Sequence, residues 1–385
     1  MNKTSFSFYF LFSLLFFTTA LAQQTAPLAL PNSIYSGKQG KFHVQSVAID
    51  QERGFVYFSY TDKLIKTDLE GKLLGSVTGL VGHLGDIDFD PETNKIYGSL
   101  EFKQDAIGKG ISKTLGVENQ NNTGFYIAVF EASKITRPNI HAEEEDVLKT
   151  VFLQEVVKDH LDTVKVNGKK YPHRFASSGI DGTTLAPAIG KDKNSKKYLY
   201  VAYGVYGDTT RNDNDYQVIL QYDISDWDKY GKTLYQDNLH QSGPKKPREK
   251  YFVKTGNTTY GIQNLAYDEH TGNLFAAVYK GKKAQFPNYG IFVIDRHQKA
   301  QKAKITSDDK KVKVKTLSLL EAGPKDEASG IRGWHFDKGT TGLRPLGKGY
   351  FYISHPRKTK DGQQETTLYK YKWIGNENQA FELIQ

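Results

Sequence analysis

The chain has 385 residues, a formal net charge of +9, 13% aromatic residues and no cysteine. Without cysteine there is neither a disulfide framework nor thiolate chemistry, so stability must come from burying aromatic and aliphatic side chains. The basic excess favours encounters with polyanions or acidic surfaces without naming one.

In chain order, residues 1–22 read as a signal peptide: Lys3, an apolar stretch over 6–17, then Ala20-Leu21-Ala22 before Gln23. That stretch is shorter than the roughly 20 residues that cross a bilayer, and small side chains at 20 and 22 suit a signal peptidase. The expectation is a soluble secreted or periplasmic protein with no membrane span, whose remainder, 23–385, is one domain.

Five units then share one grammar, and each opens with a short polar-to-apolar run. The runs are His43-Val44-Gln45-Ser46, His83-Leu84-Gly85-Asp86, Ser178-Gly179-Ile180-Asp181, Tyr260-Gly261-Ile262-Gln263 and Ser329-Gly330-Ile331-Arg332. After an acidic or Gly/Asn turn comes a strand rich in aromatic and β-branched residues, over 55–60, 96–101, 198–203, 274–279 and 350–355. Third strands are read at 64–68, 125–131, 218–223, 291–295 and 368–372, and outer strands at 72–77, 147–156, 251–255 and 311–319. Residues 30–42 are free to pair with the last unit and close a ring.

Antiparallel units repeated in this way predict an all-β fold, a β-propeller with five four-stranded blades, or six if the long second or third unit hides another. A two-sheet sandwich is the alternative, but it carries no such periodic order. Alternating Lys311-Val312-Lys313-Val314-Lys315 suits an outermost strand, where lysines block pairing with other chains.

In such a blade the first strand begins, and the second ends, on the same face. The five openings therefore share one mouth with the connections 102–123, 204–217, 280–290 and 356–367. His83, Asp86 and Glu101 are the catalytic candidates, an imidazole beside two carboxylates. Asp86, Asp181, Gln263 and Asn264 offer carboxylate and amide oxygens to a divalent cation, calcium first. Tyr203, Arg211, Tyr260, Lys280, Arg332 and His355 are read as substrate-binding, the cations for an anionic group and the rings for packing. Segment 207–215 carries Asp208, Asp213 and Asp215 but lacks EF-hand spacing, and is read as a solvated loop. The basic run 245–250 has no interleaved aromatics, so no nucleic-acid partner is expected.

The run from Asp86 to Tyr97 (Asp-Ile-Asp-Phe-Asp-Pro-Glu-Thr-Asn-Lys-Ile-Tyr), echoed from Gln263 to Phe275, resembles the blades of secreted gluconolactonase-like and NHL-type propellers. The resemblance implies a propeller over most of the chain, in a group that includes metal-dependent lactonases, esterases, phytases and plain binding modules. Its motifs are turn and strand chemistry, so it assigns no residue a role. The functional expectation is a hydrolase or lyase acting on an anionic ester, phosphoester or uronate-containing glycan, with a metal ion as a candidate helper and no organic cofactor. The alternative is a non-catalytic propeller that binds a glycan or another protein.

Overall fold

The computed structural model describes residues 29–118, 123–144 and 146–385. Residues 1–22, read as a signal peptide, lie outside the described residues. Among the described residues no helix is long and apolar enough to cross a membrane.

Five antiparallel sheets succeed one another along the chain and pack side by side into a propeller. Blade 1 holds Val44–Asp50, Phe55–Tyr60, Lys63–Thr67 and Leu73–Thr78. Blade 2 holds His83–Asp90, Lys95–Phe102, Gly124–Glu131 and Leu148–Phe152. Blade 3 holds Ser177–Pro187, Lys197–Val205, Tyr216–Tyr222 and Glu249–Lys254. Blade 4 has only Thr258–Asp268, Asn273–Lys280 and Ile291–Ile294, and its fourth place is taken by bridges from Ile294 to Leu319 and Ile291 to Trp334. Blade 5 holds Leu343–Gly347, Tyr350–Lys358 and Gln364–Trp373, and against the last of these pair both Ser33–Tyr35 and Phe381–Leu383. The ring is thus closed by joining the beginning of the chain to its end, as the free residues 30–42 led one to expect.

The repeated turn has a repeated cause. The aspartate ending the inner strand of blades 1, 2 and 4 accepts from the turn that follows: Arg53 N on Asp50 (3.1 Å), Glu92 N on Asp90 (3.1 Å) and Thr271 N on Asp268 (3.0 Å). Each turn then needs a positive φ, met by Gly54 (70°), Asn94 (54°) and Gly272 (72°).

Between neighbouring blades lies one apolar layer each, five in all. In the layer between blades 4 and 5, Phe275 sits 4.9 Å from Phe351 and 4.8 Å from Trp373, ring centre to ring centre. Burying one such ring contributes roughly 1.5–3 kcal/mol, so the aromatic content does the work that disulfides do elsewhere.

At the axis, buried polar side chains tie several blades together, both neighbours in sequence and blades further apart. Asp86 accepts from the Ser46 hydroxyl of blade 1, from Ile87 N (3.0 Å), from Thr183 N of blade 3 (2.7 Å) and from Leu265 N of blade 4 (2.9 Å). Asp88 accepts from Thr184 Oγ1 (2.9 Å) and Leu185 N (2.8 Å) and pairs with Arg344 of blade 5. Asn264 donates to Gln45 O (2.9 Å) and Thr340 O (3.3 Å) and accepts from Leu343 N (3.1 Å).

Three sequence expectations are corrected. The inner strand of blade 5 is Leu343–Gly347, not the run at 329–332, which lies in a loop making only an isolated bridge between Lys325 and Arg332. The true entry, Thr341-Gly342-Leu343-Arg344, has the same polar-Gly-apolar-polar form as 329–332, so residue types do not choose between them; Gly339 and Gly342, at φ 95° and 144°, turn the chain in. Second, 311–319 is not the outer strand of blade 4; Lys310–Leu317 pairs in parallel with Glu249–Lys254 of blade 3. Third, two helices interrupt the β pattern, α1 (Ala106–Leu115) after the second strand of blade 2 and α2 (Gln154–Leu161) after its fourth. The first is bounded by an Asp105 N-cap and a Gly116 C-cap at φ 72°.

Candidate functional site

The inner strands of blades 1 to 4 all break register near their entry. Pairing skips between Val44 and Ser46, between Leu84 and Ile87, between Ile180 and Thr183, and between Ile262 and Asn264. A bulge leaves its extra residue out of the ladder and re-aims its side chain. Gln45, Asp86, Asp181 and Gln263 are those residues, which is why polar groups from separate blades gather at one level of the ring.

His83 opens the inner strand of blade 2 and pairs directly with Glu101, at the end of the next strand. Its Nδ1 lies 3.3 Å from Glu101 Oε1 and 3.8 Å from Asp181 Oδ1. The second Glu101 oxygen accepts from Ile180 N (3.1 Å), and its first also holds the Lys103 ammonium. Lys103 lies in turn 3.8 Å from Asp105 Oδ2, which receives the Tyr206 hydroxyl at 2.7 Å. Gln263 donates to Asp181 Oδ2 at 3.0 Å. Gly179, at φ 132°, passes so close that a β-carbon there would collide with Glu101 Oε2, so the carboxylate is seated by a position only glycine can fill.

The electrostatics divide the two carboxyls. Burial alone would raise Glu101, but the Lys103 ammonium and His83 outweigh it and hold the carboxyl below its usual range. Lys103 responds in kind: burial would lower it, yet Glu101, Asp105 and Asp181 together keep it charged. Asp181 has no such cation bound to it; burial first, and then the charge of Glu101, push it up to about 7. His43 is lowered by burial and by the nearby His83. Two acids on one imidazole, one held ionised and one ready to carry a proton near neutral pH, are the arrangement from which acid and base roles separate.

Helix α1 covers the inner side of this group. Gly108, Ile111 and Ser112 meet His83, Glu101 and Lys103 around a void of about 10 Å³, at the lower limit for one water molecule. His83 and Asp181 keep 14% and 11% of their side chains exposed, against 1% for Glu101 and 4% for Lys103. The outer pair is therefore the more open to solvent and the inner pair lies behind it.

Of the remaining candidates, Tyr260 is on this rim. It is 42% exposed, its carbonyl accepts from Gln263 Nε2 (3.0 Å), and its ring meets that of Tyr279 edge-on. Asp86 and Asn264 do not join the group, because their oxygens are occupied by the axial bonds already described. Burial pushes Asp86 up to about 8 against the pull of those bonds. Tyr203 is fully buried between blades 2 and 3, its hydroxyl on Asp159 Oδ2 (2.8 Å). Arg211 is 4% exposed and held by both oxygens of Asp213 and by the carbonyls of Pro172 and His173, so it pins its own loop. Lys280 pairs with Asp337 (2.6 Å), and Arg332 with Glu321 (3.1 Å) and Gly323 O (2.9 Å). His355 bonds the Tyr371 hydroxyl at 2.8 Å within blade 5.

These residues do not fit a bound cation. Gln263 turns its amide nitrogen, not its oxygen, to Asp181; Lys103 already neutralises Glu101; and the Asp86 oxygens face four donors. Among the described residues no group of three or more His, Asp or Glu side chains is disposed to hold a metal. In segment 207–215 the Lys283 ammonium occupies the place a cation would take, bound to Asn214 Oδ1 (2.9 Å) and Asp215 Oδ1 (2.5 Å).

Lys103 falls in the connection 102–123 that the sequence assigns to the mouth but is given no role there, although a lysine two residues beyond a glutamate at a strand end is a visible signal. Sequence reasoning missed the strained turn on which His173, Phe175 and Ala176 all have positive φ (67°, 55° and 53°). That turn stacks the His173 ring 4.4 Å from His160 and 5.1 Å from Tyr206. Nothing in the residue types marks it.

No protein-family model matches the chain, and a search of curated proteins returns no match. Solved structures similar to it over most of its length are propellers at low identity. A GH43_1 enzyme from Xanthomonas citri complexed with xylose aligns at 10% identity over 92% of this chain and 94% of that one, with a TM-score of 0.38. A GH43 β-1,3-galactosidase with galactodeoxynojirimycin aligns at 10% identity over 91% and 97%, TM-score 0.41. The β-propeller domain of a Cps50 (Swd1) protein from Myceliophteria thermophila aligns at 12% identity over 84% and 82%, TM-score 0.32. The number of blades follows from the sheets of this chain alone.

Proposed function

We propose that the protein is a hydrolase or lyase that works by general acid–base catalysis at the mouth of the ring, on a hydroxyl-rich substrate of the glycan or sugar-ester class. The observation that carries this reading is the convergence of Glu101 and Asp181 on one nitrogen of His83, with their proton affinities driven apart. In this reading Glu101, fixed by Lys103 and Ile180 N, orients the imidazole through Nδ1 and leaves Nε2 to take a proton from water or substrate. Asp181, up at about 7, donates a proton to the departing oxygen. Tyr260 offers its ring to a sugar face, and Gln263 a polar contact beside it.

An anionic substrate receives less support, because Arg211, Lys280 and Arg332 are each committed to a carboxylate or carbonyl of the protein. No step is routed through a metal, since the residues present do not fit one.

The test is turnover of a panel of oligosaccharides and sugar esters by the wild type and His83→Ala. Removing a general base costs about 10²–10⁴ in rate, while a side chain at the rim leaves the thermal midpoint within a few degrees. Equal turnover by the two proteins refutes the assignment. Binding without product, unaffected by the substitution, would mark a binding propeller instead.

A further inference from the structure

Between the third strand of blade 4 and the inner strand of blade 5 the chain makes an excursion that ring closure does not require. Gln301–Ser307 and Lys310–Leu317 form an antiparallel ribbon, turned by Asp308 and Asp309 at φ 54° and 53°. It is docked on blade 3 through parallel pairing with Glu249–Lys254. Residues directly opposite across such a pair project on the same face. The register sets Lys302 opposite Lys315, Lys304 opposite Lys313, and Thr306 opposite Lys311. Five lysines therefore stand on one face, and all five are exposed. The other face turns Ile305, Val312 and Val314 into the apolar layer between blades 2 and 3, which holds the ribbon in place.

Like charges directly opposite destabilise a pair of strands by up to about 1 kcal/mol each. Little in the protein relieves them: Lys315 meets Glu249 at 2.6 Å and Lys311 the Thr306 hydroxyl at 2.8 Å. Among the described residues Lys302, Lys304 and Lys313 have no acidic partner. Protection of an open edge would put charge on the outermost strand. Here three of the five lysines stand on its inner neighbour, so edge protection does not account for them.

We propose that this lysine face is a binding surface for an acidic polysaccharide, whose carboxylates or sulfates would neutralise the two rows. A nucleic acid fits less well, because the ribbon has no aromatic side chain on which a base could stack. The surface is separate from the mouth and does not depend on the reaction proposed there.

The experiment uses the full-length protein and measures its affinity for polygalacturonate, neutral amylose and double-stranded DNA at two salt concentrations. Comparison is with Lys304→Glu/Lys313→Glu and the milder Lys304→Gln/Lys313→Gln. The wild type is expected to bind polygalacturonate and not amylose, with affinity falling as salt rises. The charge reversal is expected to weaken binding by roughly tenfold or more, and the neutral pair by less, in line with the loss of a few screened ionic contacts. The neutral pair is expected to keep or raise the thermal midpoint, since two like charges are removed, and the reversed pair to keep it, since its two glutamates face each other but stand beside Lys302, Lys311 and Lys315. Unchanged affinity in either variant, equal binding to amylose, or tighter binding to DNA than to polygalacturonate would overturn the proposal.

Discussion

Asp181→Asn separates stability from activity in a way that the burial of this residue makes quantitative. In the unfolded chain the carboxyl titrates near 3.8, whereas in the folded ring burial and the Glu101 charge push it up to about 7. Folding therefore takes up a proton between those values. The native state gains this contribution in full below pH 3.8 and loses it as the pH rises through 7. A displacement of that size corresponds to on the order of 4 kcal/mol lost by pH 8. Asparagine keeps the volume and can still accept from Gln263, but it has no proton to lose. Urea unfolding at pH 4, 6 and 8 is then expected to show the variant gaining on the wild type as the pH rises, by a few kcal/mol at pH 8, with the denaturant slope unchanged. Turnover, in contrast, should collapse at every pH, because the proton donor is gone. In the wild type kcat/KM should decline above about pH 7 as the donor ionises. A wild type whose stability is flat from pH 4 to 8, with no pH-dependent gain in the variant, would refute the reasoning, since an exposed or neutralised aspartate behaves in that way.

Lys103→Met leaves Glu101 buried without its counter-charge, a change that costs about 3–5 kcal/mol when a buried pair loses one member. Adding Glu101→Gln should restore most of it, and denaturation of both variants would show whether the double substitution is the more stable, as coupling requires. Tyr260 stands at φ 65°, where a bulky residue costs about 1–3 kcal/mol. Tyr260→Gly should therefore raise the midpoint of thermal unfolding by a few degrees while KM for any mouth substrate rises. A lower midpoint would mean that the ring is held for packing rather than for a ligand.

The blades were legible because their punctuation is chemical. An aspartate ending one strand, a residue of positive φ four positions on, and an aromatic run behind it are enough to place the inner hairpins of blades 1, 2 and 4. The pairing of His83 with Glu101 follows from the same hairpin, since a strand entry and the end of its partner must meet. The strands read at 350–355 and 368–372 fall within Tyr350–Lys358 and Gln364–Trp373, but the entry of blade 5 and the ribbon at 301–317 were not legible. The blade enters at Thr341-Gly342-Leu343-Arg344, a run of the same form as 329–332 earlier in the chain, and the ribbon carries the lysine-valine alternation of an ordinary outer strand while pairing in parallel with a distant blade. Helix α1 was hidden inside a connection read only for its length, although Asp105 and Gly116 bracket it.

What no reading of residue types could show is how many donors each polar group would receive. Asp86 and Asp181 both sit in the bulges of inner strands, one blade apart. The Thr183 and Leu265 amides reach Asp86 from two other blades, and with Ser46 and Ile87 they saturate it. For Asp181 the one side-chain donor recorded is the Gln263 amide, and across from it stands a carboxylate that Lys103 keeps charged. A carboxyl whose oxygens are all engaged joins blades and is shut off from any partner at the mouth; one with few donors beside a fixed negative charge holds its proton more tightly than a free aspartate, up to about 7, and so still has it to give near neutral pH. The difference between the bolt and the acid lies in which backbone amides the closed ring brings within reach, and that is a property of five sheets together, not of either aspartate.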